Sequence, residues 1–193
     1  SIMELADDIA YGVHDLEDAI VLGNITQSQW QQHTAADWAR LPQQLPEFMQ
    51  QIGDDLFSNQ HHLRKDAIGS LVNLLISSAA LYEALPQAQE PLIRYNAVLE
   101  SAPLSILQRL KQVVYHCVIS RPDIQQSRFR CQNMLMALFD AFSSDPSRLL
   151  PANTQQRWAS ASDELKARVI CDYISGMTDD YAEHMYRRLY ASS

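Results

Sequence analysis

Ile2-Met3-Glu4-Leu5-Ala6-Asp7-Asp8-Ile9-Ala10-Tyr11-Gly12-Val13-His14-Asp15-Leu16-Glu17-Asp18-Ala19-Ile20 repeats its apolar residues with the period of an α-helix. At about 100° per residue, Ile2, Leu5, Ile9, Val13, Leu16 and Ile20 fall within roughly 80° of one another. On the opposite side, Glu4, Asp7, Tyr11, Asp15 and Asp18 share another stripe of roughly 80°. The helix is amphipathic, with a strongly acidic polar face. Gly23-Asn24 marks its end, and Thr26 is placed to cap the next helix.

The same period continues along the chain. A second helix is expected through Trp30 and Trp38 to Arg40, where Pro42 and Pro46 break the run. A short helix follows from Glu47 to Phe57. Arg64 to Ala84 reads as one long buried helix, with Ala67, Ile68, Leu71, Val72, Leu74, Leu75, Ile76, Ala79 and Leu81 as its core. Pro86 and Pro91 mark a loop. Further helices are expected over Leu104–Ile119, Asp123–Phe142 and Ser162–Tyr190, the last loosened at Gly176, with a loop over Ser143–Asn153. No Val/Ile/Thr-rich alternation bounded by turn pairs signals a strand. The expected class is all-α, a multi-helix domain spanning residues 1–193 with no long linker.

Composition narrows the function classes. A hydrophobic fraction of 47% with five glycines describes a folded chain. The net charge of −8 argues against binding nucleic acid or an anionic membrane. Cys117, Cys131 and Cys171 are widely spaced and odd in number, which fits reduced thiols and a cytoplasmic location rather than disulfides or zinc. No apolar run has the length of a membrane span, and none reads as a signal peptide.

The acidic face of the first helix carries the clearest chemistry. Such a stripe is more often solvated than ligand-binding. Its residue types also suit a divalent cation, which takes carboxylate oxygens, and a phosphate or sugar, which a tyrosine hydroxyl can meet. Farther on, Tyr115 and His116 lie among Leu107, Leu110, Val113, Val114, Val118 and Ile119, where a packed aromatic and a satisfied histidine are the simplest reading. Lys111 sits one turn before Tyr115. Cys117 beside His116 does not make a nucleophilic dyad, because adjacent helical residues diverge by about 100°.

Met3 to Asp18 resembles the last metal-ligand helix of bacterial HD-domain deoxyguanosine triphosphate triphosphohydrolases. Asp172-Tyr173-Ile174-Ser175-Gly176-Met177-Thr178-Asp179, followed by Tyr181-Ala182 and Tyr186-Arg187-Arg188-Leu189, resembles that family's C-terminal signature. Arg64 to Gly69 and Val114 to Ile119 are similar to it less sharply. The resemblance implies an all-helical fold and release of intact triphosphate from a deoxynucleoside triphosphate. It further implies a divalent metal, Mg²⁺ or Mn²⁺, held by two His and two Asp, and assembly as a homo-oligomer. By it Asp7 corresponds to the final metal ligand, Tyr11 to a residue near the triphosphate, and Asp15 to one near the sugar 3′-hydroxyl. A looser analogy with deoxynucleotide-cleaving relatives sets Tyr115 against the deoxyribose and Lys111 near phosphate.

The other metal ligands have no counterpart in the sequence. His14-Asp15 follows Asp7 instead of preceding it, and His61-His62 has no following Asp. One carboxylate does not fix a catalytic metal. The expectation is therefore the C-terminal part of such an enzyme, inactive alone and with no complete catalytic set. Two other readings stay open. One is a helical interaction or oligomerisation module without catalysis; the other is an HD phosphohydrolase acting on a different nucleotide.

Overall fold

A computed structural model of the protein describes residues 1–190. The chain forms two compact units, Ser1–Arg121 and Pro122–Ser193, and each is described by itself. The fold is all-α apart from one small hairpin. Among the described residues, no helix is long and apolar enough to cross a membrane.

The first unit contains α1 (Ile2–Val21), α2 (Gln27–Trp38), α3 (Leu45–Leu56) and α4 (His61–Ser77). The hairpin strands β1 (Ala79–Glu83) and β2 (Tyr95–Leu99) follow, with the single turn α5 (Pro91–Arg94) between them. The unit closes with α6 (Ser101–Val114) and a π-helical turn, Tyr115–Ile119. α1 ends in a Schellman motif, in which Asn24 N–H donates to Ala19 C=O and Gly23 N–H to Ile20 C=O. The next helix opens with a capping box: Gln29 N–H donates to Thr26 Oγ1, and Thr26 N–H to Gln29 Oε1. α1 packs on α4 and α6 through its apolar stripe. Val13, Leu16, Leu71, Leu75, Ile106 and Leu110 are fully buried there. Each such side chain contributes roughly 1.5–3 kcal/mol by leaving water.

The second unit contains α7 (Pro122–Ser144), the turn α8 (Pro146–Leu149), α9 (Ala152–Ser160), α10 (Asp163–Ser175) and α11 (Asp179–Tyr190). Its core gathers Leu138, Phe142, Leu150, Ile170, Ala182 and Met185. Tyr173 sits edge-on to Phe142, with ring centroids 5.4 Å apart.

Several expected elements are corrected. The helix placed over Arg64 to Ala84 starts at His61 and stops at Ser77, and the chain then turns into a strand. Ile76 and Leu81, counted as core, are 59% and 72% exposed, and Ala79 is exposed too. The helical period ran on past Ser77 because Ala, Leu and Tyr suit either structure, and β1 buries neither face, so no alternation marks it. The loop at Pro86 and Pro91 is the hairpin's connection. The helix expected over Ser162–Tyr190 is two helices, parted at Gly176-Met177-Thr178. The loop over Ser143–Asn153 contains α8 and the start of α9.

One buried charge was not anticipated. Glu17 flanks the apolar stripe of α1 and has a side chain only 10% exposed. Lys65 Nζ of α4 reaches its Oε1 at 2.7 Å, while His14 Nδ1 lies 3.8 Å from Oε2. Truncating the lysine would strand that carboxylate among apolar neighbours. Lys65→Met is therefore expected to cost about 1–3 kcal/mol in urea unfolding followed by circular dichroism. Adding Glu17→Gln should recover a large part of the loss. Equal stability of Lys65→Met and the parent chain would contradict this role.

Candidate functional site

The predicted residues of α1 and α6 meet where these helices cross. Gly12 makes the close approach: a Cβ there would lie 2.6 Å from Leu107 Cδ1 and 3.2 Å from Lys111 Cγ. The lysine stem thus lies directly across α1 and delivers its ammonium to the acidic face. Lys111 Nζ donates to Asp8 Oδ1 at 2.8 Å and stands 5.8 Å from the centroid of the Tyr11 ring. Asp8, rather than Asp7, takes the lysine.

The other α1 carboxylates are left open. Asp7 is exposed and Asp15 half-buried, and neither has a hydrogen bond or ion pair among the described residues. Tyr11 is 44% exposed. Tyr115 lies one turn beyond Lys111, where α6 passes into its π-helical turn. It is 53% exposed and edge-on to His116, which stacks on His33 of α2 at 5.9 Å and 8° between planes. The sequence reading placed Tyr115 and His116 in a packed apolar stretch. Widening the helix at this turn leaves both exposed and buries Cys117 instead.

The face is open rather than enclosed. A cleft of about 530 Å³ between α2 and α3, lined by Trp30, Thr34, Trp38 and Met49, includes none of the predicted residues. A groove of about 1050 Å³ in the second unit, between α7, α10 and α11, likewise lies elsewhere. Among the described residues, no group of three or more His, Cys, Asp and Glu is disposed to hold a metal ion. Asp7 offers one oxygen ligand, and these residues do not make a metal site by themselves. What the arrangement can do is present a tyrosine hydroxyl, a lysine cation and two unpaired carboxylates on one solvent-facing surface.

Sequence reasoning missed Asp8 as the partner of Lys111, and Glu17 with Lys65. Nothing in the α1 pattern distinguishes Asp8 from Asp7. Glu17 had a signal, since it sits between Leu16 and Ile20 at the border of the buried stripe.

Comparison with known proteins gives these residues a context. Residues 98–188 match the phosphohydrolase-associated domain. Over 200 aligned residues the chain is 50% identical to a deoxyguanosinetriphosphate triphosphohydrolase-like protein of Shewanella sp. (strain ANA-3), covering 99% of this chain and 43% of that protein. A protein of the same description from Shewanella oneidensis is 50% identical over 98% of this chain and 44% of its own length. The one from Shewanella sediminis is 49% identical over 98% and 43%. The chain spans less than half the length of these curated relatives, and it is similar to their C-terminal portion. The family resemblance carried by the α1 and α10–α11 motifs is thereby borne out.

The π-helical turn that carries Tyr115 can be probed through its cysteine. Cys117 is 6% exposed, and burial pushes its thiol pKa up, which lowers its reactive thiolate. Cys131 and Cys171 are exposed. Titration with a chromogenic disulfide near neutral pH should release two equivalents quickly and the third only on denaturation. Three equally fast thiols would mean that the turn is not packed as described.

Proposed function

We propose that this chain is part of a deoxynucleoside triphosphate triphosphohydrolase whose substrate is dGTP. The observation that carries this reading is likeness along 99% of the chain to proteins described as deoxyguanosinetriphosphate triphosphohydrolase-like. In the reaction water attacks the α-phosphorus and the bond from that phosphorus to the sugar O5′ breaks. The proton given up by water ends on the 5′-hydroxyl, leaving deoxyguanosine and intact triphosphate.

The chain's own residues divide the work of binding. Tyr11 donates its hydroxyl proton to a phosphate oxygen. Lys111, already beside the Tyr11 ring, adds positive charge and exchanges Asp8 for phosphate when substrate arrives. Asp15 accepts a hydrogen bond from the 3′-hydroxyl. Tyr115 packs on the deoxyribose, where a 2′-hydroxyl would meet the ring. The family implies a divalent ion, Mg²⁺ or Mn²⁺, which supplies charge neutralisation at phosphate. Asp7 would give that ion one oxygen, and the remaining ligands would come from outside this chain. The enzyme would work as a homo-oligomer in the cytoplasm, a reducing compartment that suits three free thiols.

A helical interaction module without catalysis is favoured by one observation, the open position of Asp7 and Tyr11. The two readings separate on activity. The isolated chain should release no triphosphate from dGTP with Mg²⁺ or Mn²⁺, because the one carboxylate of Asp7 does not fix a metal. In the complete enzyme that this reading implies, Asp7→Ala should lower triphosphate release by about a hundredfold or more and reduce bound metal, with helicity retained. Unchanged turnover and metal content in that variant would remove Asp7 from the site and leave the module reading standing.

A further inference from the structure

Tyr115 is 53% exposed, and an exposed ring on two free torsions samples several rotamers. A ring that excludes a 2′-hydroxyl must stay where that hydroxyl would sit, because small misplacements at a substrate contact are costly. Two further rings stand behind it. His116 meets the Tyr115 ring with centroids 5.5 Å apart and planes at 77°, a favoured arrangement for an aromatic pair. His116 in turn lies parallel to His33 of α2, at 5.9 Å and 8°.

This row has a fixed base. One turn after His33, Asp37 takes Arg109 of α6 at 2.7 Å, with side chains 33% and 29% exposed. His33 and Asp37 share one face of α2, and Arg109 and His116 lie seven residues apart along α6 and its π-helical continuation. The two contacts therefore form one antiparallel seam. Trp30 and Trp38, both buried, hold α2 in the core. Neither imidazole has a hydrogen bond or ion pair among the described residues. No group of three metal-ligating side chains is found there either. Ring contact is what joins the two histidines, and it runs from the core-anchored α2 to Tyr115.

We propose that His33 and His116 are positioning residues that hold the Tyr115 ring against the sugar and so set the preference for deoxyribose over ribose. This role rests on the reading of Tyr115 as the deoxyribose contact. His33 reaches Tyr115 through His116 and touches no substrate. A pocket that rejects an added hydroxyl without losing a hydrogen bond discriminates by about a hundredfold. Loosening the ring surrenders part of that factor.

kcat/KM for dGTP and for GTP, measured on one preparation of the complete enzyme, tests this. Their ratio does not depend on how much of a variant is folded, because the active fraction cancels. His33→Ala should lower the ratio by roughly tenfold, mostly through faster GTP turnover. His116→Ala should lower it at least as far. His33→Phe, which restores a stacking ring without an imidazole nitrogen, should return most of the loss. Tyr115→Ala separates the two readings. If it lowers the ratio while His33→Ala leaves the ratio unchanged, the histidines do not hold the ring, and the positioning role is overturned with Tyr115 keeping its place. If Tyr115→Ala itself leaves the ratio unchanged, Tyr115 is not the sugar contact and both readings fall. A ratio lowered equally by His33→Ala and His33→Phe would also overturn the role, since the effect would then belong to an imidazole nitrogen and not to the stack.

Discussion

Burial of one face of α1 decides where everything else in the first unit can go. Val13 and Leu16 are wholly inside, Ile9 and Ile20 nearly so, and they are held between α4 and α6. Because helical residues recur at a fixed angle, burying this stripe forces Glu4, Asp7, Tyr11 and Asp18 toward water. It also fixes what approaches from α6. Gly12 lies at the border between the two faces, and the absence of a side chain there lets Leu107 and the Lys111 stem sit against the α1 backbone. A larger residue would meet Leu107 Cδ1 and the Lys111 stem, and those side chains would have to shift to make room. The core contact and the placement of the candidate site are one geometric fact.

Two lysines reach α1 carboxylates at nearly the same distance, and their surroundings give them different parts. Lys65 Nζ to Glu17 Oε1 is 2.7 Å, with the glutamate side chain 10% exposed. Lys111 Nζ to Asp8 Oδ1 is 2.8 Å, with the aspartate 53% exposed. Removing water from a carboxylate makes its partner necessary, whereas a solvated pair is worth about 0–1 kcal/mol and is readily exchanged. The first pair therefore belongs to the fold. The second is a cation parked at the surface, available to a better anion at little cost. A phosphate, with more charge and several acceptor oxygens, is such an anion.

The order and boundaries of the elements were largely legible because apolar period, proline and capping residues act locally. Thr26 with Gln29, Gly23 after Leu22, and Pro122 at the head of α7 are decided within a few residues. The hairpin was not legible, because β1 buries neither face, β2 buries only Leu99 and part of Ala97, and the strands owe their form to each other across a gap of ten residues and more. The π-helical turn was hidden for a related reason. Tyr115 to Ile119 reads as a continuation of α6, and only packing exchanges which of Tyr115, His116 and Cys117 points inward. Of the candidate site, α1 was legible as a face, Lys111 entered only through the looser analogy as a residue near phosphate, and its pairing with α1 was not legible. The choice of Asp8 over Asp7 depends on where a helix 103 residues away crosses, which no local pattern encodes.

The electrostatics of α1 set a condition on the proposed reaction. Its outward face carries Glu4, Asp7, Asp8, Asp15 and Asp18, and Lys111 is the cation found against them. A triphosphate approaching such a face meets more negative charge than positive, a net repulsion that solvent screening weakens without reversing. Tyr11 lowers that cost through its hydroxyl but brings no charge. On the proposed reading, substrate binding here would call for positive charge from outside the chain, near Asp7 and Asp15, whose oxygens have no partners among the described residues. Incomplete ligation and uncompensated charge are thus the same deficit. The carboxylates that repel phosphate when bare would bind the cation that attracts it, and the face becomes a phosphate site only when both are present.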